Sequence, residues 1–188
     1  MKLSVFVGSL VDPAVGAHAI VNASNPHLGL GSGVSGAIRE ACGGAAFQAE
    51  VRRAWEEQLD EPLEAEDCVV TGAGRATAFR WVLHVAAVDY TRRDPETGGS
   101  SGPTRVKACT KAALEEAAHL ARAHALPMVV AFPLLGAGHG GLGEVASAAA
   151  MMEVFASAPA ALAEVRVAVL EERHARLVAH AAERFGVS

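Results

Sequence analysis

Short valine-rich runs alternate with segments of helical periodicity along this chain, and that alternation constrains the fold more than any other feature. Six runs are predicted to be strands: Leu3–Val7, Ala19–Asn22, Cys68–Thr71, Trp81–Val85, Met128–Phe132 and Val165–Leu170. Their apolar residues are largely unalternated, which is typical of strands covered on both faces. Strands that alternate with helices predict an α/β fold, in which a mostly parallel sheet lies between two layers of helices.

Apolar residues recur at helical spacing between these strands. Thr104 is a predicted helix N-cap, and Pro159 is predicted to help end the helix that begins after Gly143. Residues 91–103 are polar and rich in glycine, which predicts a mobile surface loop. Three segments each place their apolar residues on one helical face: Phe47, Val51, Ala54, Trp55 and Leu59; Val106, Cys109, Ala113, Ala117 and Leu120; and Leu177, Val178, Ala181 and Phe185.

Length and composition favour one ordinary globular domain over residues 1–188, since 51% of the residues are hydrophobic and 20% are charged. No apolar run reaches the ~18 residues of a membrane helix, and the N-terminus lacks a signal-peptide core, so we expect a cytoplasmic protein without a membrane partner. The net charge of −5 argues against general nucleic-acid binding. The cysteines, Cys42, Cys68 and Cys109, are far apart, and the histidines have no metal-binding spacing. We therefore expect free thiols, no metal and no resident cofactor.

Two glycine-rich loops are the best candidates for the site of the chemistry. Residues 22–38 and 133–143 each follow a predicted strand and run into a helix. In open α/β sheets, ligands bind beyond the carboxyl ends of the strands. Glycines there let backbone N–H groups approach an anion, and the helix N-terminus favours negative charge. One such loop would be explained by a tight turn alone, but two at corresponding strand ends predict a binding site for a phosphorylated ligand.

Other phosphate-binding and catalytic motifs fit this sequence less well. Gly31, Gly33 and Gly36 match G-x-G-x-x-G, but about nine residues separate them from the strand, and no acidic residue follows at the required distance. A P-loop is excluded because the chain contains no Gly-Lys pair. Ser35 lies too far from the strand for a nucleophile elbow, so a hydrolase triad is disfavoured.

Residues 19–25, Ala-Ile-Val-Asn-Ala-Ser-Asn, resemble the A-I-V-N-A-A-N signature of the macrodomain family, which binds ADP-ribose. The spacing from there to residues 31–34 matches that to the family's G-G-G-V, and residues 131–138 resemble its second signature, A-F-P-x-x-x-x-G. Residues 83–85 stand where the family has its I-H-x-V strand. The resemblance extends over essentially the whole chain. It implies a three-layer α/β/α sandwich with a mixed, mostly parallel sheet of about six strands.

The resemblance also implies roles for individual residues. Asn25 would bind the distal ribose and Asn22 would brace its loop, while Val21 and Leu170 would line the adenine slot and His84 would be structural. The backbone of two sets of residues would hold the diphosphate from opposite sides: Gly31, Ser32, Gly33 and Val34; and Gly136, Ala137, Gly138 and His139, the second set also reaching the distal ribose.

Three departures from the family pattern bear on specificity. Ser9 stands where the family has an aspartate that accepts a hydrogen bond from adenine, although Asp12 is close enough in sequence to replace it. Gly140 and Leu170 stand where the family often has aromatic residues, beside the distal ribose and at the last strand. The resemblance therefore implies a retained diphosphate cradle with thinner packing around the base and the ribose.

A fourth departure bears on catalysis. Ser35 stands where hydrolytic family members carry an aspartate, and a serine cannot act as a carboxylate base. Asn25, Ser35 and His139 are the candidate catalytic residues, with His139 or His27 as a replacement base. The resemblance implies binding of ADP-ribose or ADP-ribosylated protein. It leaves open a weak hydrolysis of ADP-ribosyl esters or O-acetyl-ADP-ribose. A reader without turnover, and a macrodomain retargeted to another nucleotide or an RNA end, are the alternatives.

Overall fold

The computed structural model describes residues 2–187; Met1 and Ser188, the ends of the predicted 1–188 domain, lie outside them. A short 3-10 turn, Pro13–Val15, follows the first strand. The strands are β1 (Lys2–Val7), β2 (Ala19–Ala23), β3 (Cys68–Gly72), β4 (Trp81–Val85), β5 (Met128–Phe132) and β6 (Leu162–Val169). The helices are α1 (Gly33–Cys42), α2 (Ala45–Gln58), α3 (Pro103–His124), α4 (Glu144–Phe155) and α5 (Glu172–Phe185).

The strands form one sheet in the order β1-β6-β5-β2-β4-β3. The first five strands are parallel, and β3 pairs with β4 in antiparallel fashion at the edge. All six predicted strands are therefore present, and the mixed, mostly parallel sheet is confirmed. The carboxyl ends of five parallel strands meet at one edge of the sheet, where the fold can form a ligand site.

Alternation along each strand separates two hydrophobic cores. In β2, Val21 belongs to the core under α3, α4 and α5, whereas Ile20 belongs to the core under α1 and α2. In β5, Val130 and Ala131 divide in the same way. The helices thus lie on both faces of the sheet, and the three-layer α/β/α architecture is confirmed. No helix within residues 2–187 is long and apolar enough to cross a membrane.

Two local expectations were wrong. Thr104 is not the N-cap of α3, because Gly102 holds that position in an extended conformation and Thr104 donates its hydroxyl to Glu96 instead. The segment 91–103 is not wholly at the surface, since Ser101 is fully buried. A carboxylate inside this segment gives it internal structure: Asp94 accepts hydrogen bonds from the amides of residues 96 and 97, at 2.9 and 3.0 Å.

Candidate functional site

A cleft of about 590 Å³ opens at the carboxyl ends of β2 and β5, which are neighbours in the sheet. The chain leaves β2 toward α1 on one face and leaves β5 toward α4 on the other face. The two glycine-rich loops therefore diverge and leave a crevice between them, as at the switch point of other open α/β sheets.

The first loop is held in shape by the side chain of Asn25. Its Oδ1 accepts hydrogen bonds from the amides of His27 and Gly29, at 3.1 and 3.4 Å, and its Nδ2 donates to the Gly29 carbonyl at 3.0 Å. Gln48 in α2 holds the far end of the loop, because its amide oxygen accepts from the Leu30 amide at 2.9 Å. The loop is thus fixed at both ends around an open centre.

Helix α1 presents an uncapped N-terminus to the cleft. Its N-cap residue, Ser32, makes no side-chain capping hydrogen bond, and the first turn contains no acidic residue. Gly33 begins the helix with φ of +57°, a left-handed conformation that favours glycine. The first N–H groups of a helix have no acceptor within it, so this end of α1 is suited to an anion.

The second loop folds back on itself opposite α1. The Gly141 amide donates to the Gly138 carbonyl at 3.0 Å, and the Leu142 amide donates to the Gly136 carbonyl at 3.2 Å. The exposed ring of His139 reaches across the cleft, since a β-carbon at Gly33 would lie 3.7 Å from its Nδ1. Backbone amides of the two loops therefore surround the same space from opposite sides.

A row of buried polar side chains crosses the sheet beneath the cleft. Ser35 donates its hydroxyl to Asn22 Oδ1 at 2.7 Å, and Asn22 Nδ2 lies 2.9 Å from His84 Nδ1. His84 Nε2 in turn lies 2.9 Å from Thr71 Oγ1. Because Asn22 Nδ2 is a donor, His84 Nδ1 accepts, and the ring carries its proton on Nε2. Burial lowers the pKa of His84 to about 3, so the ring is neutral and structural.

This row fixes the role that Ser35 can take. Its hydroxyl also lies 3.1 Å from the Ala23 carbonyl, so its single proton is directed at one of two acceptors inside the protein. Ser35 lines the cleft but is 6% exposed. No aspartate or glutamate lines the cleft in the described part of the chain, and His139 and Tyr90 are its titratable side chains. The arrangement can therefore orient a ligand but holds no carboxylate base.

The cleft gathers most of the residues that the sequence singled out. Val21 does not line it, contrary to expectation, because strand alternation points this side chain into the α3–α5 core, where it is fully buried. Asn22 is also fully buried and accepts a hydrogen bond from Ser35, which lines the cleft. Ala137 is not among the residues that line the cleft. The predicted residues that line the cleft are Asn25, Gly31, Ser32, Gly33, Val34, Ser35, Gly136, Gly138, His139, Gly140 and Leu170.

A smaller cavity of about 120 Å³ continues the cleft toward β1 and β6. Ser9 lines it together with Leu170, which is 76% exposed, and its other lining residues include Val11 and Ile38. Asp12 does not line this cavity; its carboxylate accepts a hydrogen bond from the Ala14 amide at 2.8 Å and caps the 3-10 turn. The cavity walls within the described residues therefore contain no carboxylate.

Sequence reasoning missed the wall of the cleft that follows β4. Val88 and Tyr90 line the cleft there, and Ser24 lines it beside Asn25. One signal was available: β4 is parallel to β2, so residues directly after it reach the same edge of the sheet. Val88 and Tyr90 carry no motif of their own, and residues 91–103 after them are polar and rich in glycine.

The cysteines and the other metal-ligating side chains are dispersed over the described residues. No group of three or more His, Cys, Asp or Glu side chains within residues 2–187 could hold a metal ion. Cys42, Cys68 and Cys109 are free, and burial raises the pKa of Cys42 and of Cys109 to about 12. These thiols are therefore protonated and lie in the packed layers of the fold.

The fold and the site define an α/β protein with a cleft between two glycine-rich loops, at the carboxyl ends of parallel strands. The sequence model of the Macro domain family matches residues 21–152. A macro domain-containing protein of Streptomyces nogalater is 33% identical over 161 residues, which cover 85% of this chain and 80% of that protein. The chain belongs to the Macro domain family. A relative from Streptomyces coelicolor is 40% identical over 82 residues, but that match covers only 47% of the relative.

Solved macrodomain structures share the fold. The Oceanobacillus iheyensis macrodomain with ADP superposes with a TM-score of 0.79 at 21% identity, over 97% of this chain and 90% of that chain. The Trypanosoma brucei macrodomain in complex with ADP-ribose gives a TM-score of 0.69 at 19% identity, over 94% of this chain and 67% of that chain. At these identities the likeness concerns the fold.

Proposed function

We propose that this chain binds ADP-ribose, free or attached to protein, in the cleft between its two glycine-rich loops. The observation that carries the proposal is the N-terminus of α1, which lacks both a side-chain cap and an acidic first turn and faces the Gly136–His139 loop. Unpaired backbone N–H groups on two sides are suited to a diphosphate. The Oceanobacillus iheyensis macrodomain with ADP and the Trypanosoma brucei macrodomain in complex with ADP-ribose support the same choice of ligand.

The strand order supports an orientation for the proposed ligand. The cavity that contains Ser9 lies on the side of β1 and β6, and Asn25 lies on the side of β2 and β4. The diphosphate cradle lies between them, at the ends of β2 and β5. In the proposed orientation, the base occupies the Ser9 cavity, and the distal ribose lies against the first loop near Asn25.

Titration calorimetry with ADP-ribose, ADP, AMP and NAD tests this proposal. The best blocking variant is Gly31→Glu, because a β-carbon at Gly31 meets no atom within 4 Å and its φ is not in the left-handed region. A carboxylate there repels a diphosphate, so we expect binding to be lost. Gly31→Ala is the matched control and is expected to bind. Loss in both variants, or in neither, would contradict the cradle, and no binding by the unmodified chain would refute the function.

We propose binding as the main activity, with turnover slow or absent. Ser35 is neutral and hydrogen-bonded inside the protein, and no carboxylate lines the described cleft. Incubating the purified chain with an ADP-ribosylated protein, and measuring released ADP-ribose, tests this. Release at a rate typical of an enzyme would overturn it, provided that Asn25→Ala abolished the release.

A second candidate function, binding of other nucleotides, is favoured by one observation. The base cavity has apolar walls and the hydroxyl of Ser9, and Asp12 is occupied in capping the Ala14 amide. A cavity without a carboxylate selects less strongly for the amino group of adenine. Competition between adenine, guanine and uridine diphosphates separates the two candidates: equal affinities support the broader specificity, and a clear preference for adenine rejects it.

A further inference from the structure

Tyr90 is an aromatic residue left exposed on the wall of the cleft. It is the only tyrosine of the chain and is 61% exposed. Four large hydrophobic side chains are exposed within residues 2–187, and two of them, Tyr90 and Leu170, line this cleft. An exposed apolar side chain contributes little to the stability of the fold. Where such side chains line a concave site, they commonly contact a ligand.

Strand order places Tyr90 and Leu170 at opposite ends of the cleft. Leu170 follows β6 and Tyr90 follows β4, with β5 and β2 between these strands. Three strand spacings of about 4.8 Å separate the two positions by roughly 14 Å. Leu170 belongs to the base cavity, so Tyr90 lies on the far side of the diphosphate cradle.

The backbone around Tyr90 is fixed on both sides. The carboxylate of Asp89 is buried and accepts hydrogen bonds from the amide and the hydroxyl of Thr91, at 2.9 and 2.7 Å. The Asp89 amide donates to the Ser100 carbonyl at 2.7 Å, and Arg105 lies 3.6 Å from the carboxylate. The backbone that carries the Tyr90 ring therefore loses little freedom when a ligand binds.

Position 140 of the second glycine-rich loop has no room for a side chain. A β-carbon at Gly140 would lie 2.6 Å from the Gly136 carbonyl oxygen, 2.8 Å from Val88 Cγ1 and 2.9 Å from the Ser101 side chain. The segment after β4 already fills that space. An aromatic side chain beside whatever extends past the cradle can therefore come from Tyr90 on this segment.

We propose that Tyr90 is a specificity-determining residue, whose ring packs against the sugar beyond the diphosphate and makes the chain prefer ADP-ribose over ADP. This inference rests on the proposed function. The ring offers an apolar face to the carbon skeleton of the ribose, and its hydroxyl can hydrogen-bond at the rim. ADP ends at the diphosphate and does not reach Tyr90.

Calorimetric titration of ADP-ribose and of ADP into the full chain tests the inference, with Tyr90→Ala, Tyr90→Phe and Leu170→Ala as variants. We expect Tyr90→Ala to weaken ADP-ribose binding about threefold to tenfold and to leave ADP binding unchanged. Tyr90→Phe keeps the ring and the preference. Leu170→Ala, at the base end, is the matched control and is expected to weaken both ligands equally.

The outcomes separate this inference from the function on which it rests. Equal loss of both ligands in Tyr90→Ala, or no loss of either, would overturn the role of Tyr90 while ADP-ribose binding stands. Absence of binding by the unmodified chain would overturn both. Urea unfolding of each variant shows whether it is folded, and the exposure of Tyr90 and Leu170 gives both variants stability near that of the unmodified chain.

Discussion

Acidification is predicted to destabilise this protein through His84. The ring is fully buried, and burial lowers its pKa from 6.5 to about 3. Between these values the unfolded chain binds a proton at His84 and the folded chain does not, so stability falls as the pH falls below 6.5. At about pH 5, proton uptake by the unfolded state lowers the free energy of unfolding by about 2 kcal/mol relative to about pH 7.5.

Urea unfolding at the two pH values, followed by circular dichroism, measures this effect. The comparison is with His84→Gln, which does not titrate but can still accept from Asn22 and donate to Thr71. His18, whose pKa burial also lowers, contributes equally to both proteins and cancels. We expect the unmodified chain to lose about 2 kcal/mol more than the variant. Equal losses would refute the buried neutral histidine.

Three further perturbations address the site. Ser35→Ala removes a buried hydrogen bond to Asn22 and is expected to lower the free energy of unfolding by about 1–2 kcal/mol in urea. Ser24→Ala is expected to raise the free energy of unfolding by about 1 kcal/mol, because the Ser24 hydroxyl is the one side-chain polar atom in residues 2–187 found buried without a hydrogen-bond partner. If both serine variants changed the free energy of unfolding in the same direction, the hydrogen-bond assignment would be contradicted. Asp94→Ala removes the acceptor that organises residues 94–99, so limited trypsin digestion after Arg93 is expected to be faster. An unchanged rate of digestion would show that the carboxylate does not hold the loop.

The fold was predictable because its main determinants are local. Each buried strand is a short apolar run, and the helices show their buried faces as periodic apolar residues, as in the Val106–Cys109–Ala113 stripe of α3, which is fully buried. The order of the strands in the sheet could not be predicted from such local patterns. It depends on which helices cover which face, and that is decided by contacts between residues far apart in sequence.

The site was predictable only where one continuous segment carries it. The two glycine-rich loops were found because each is a run of adjacent residues with an unusual composition. The prediction that Val21 lines the adenine slot was wrong because adjacent strand residues point to opposite faces of the sheet. Resemblance of sequence does not show which of these faces borders the cleft. Tyr90 was missed because its relation to the cleft arises from the parallel pairing of β2 and β4.

Binding and turnover make different demands on such a cleft, and the geometry meets them unequally. Binding needs fixed donors: Asn25 shapes the first loop, and the end of α1 is free of competing side chains. Hydrolysis also needs a group that accepts a proton from water. Ser35 instead donates its proton to Asn22, and His84 beneath it remains neutral and enclosed. His139 is the remaining nitrogen base on the cleft wall, and it is exposed to solvent on a loop. Any turnover by this chain would therefore depend on His139 or on the ligand's own phosphate, so His139→Ala would remove the first route and leave the second.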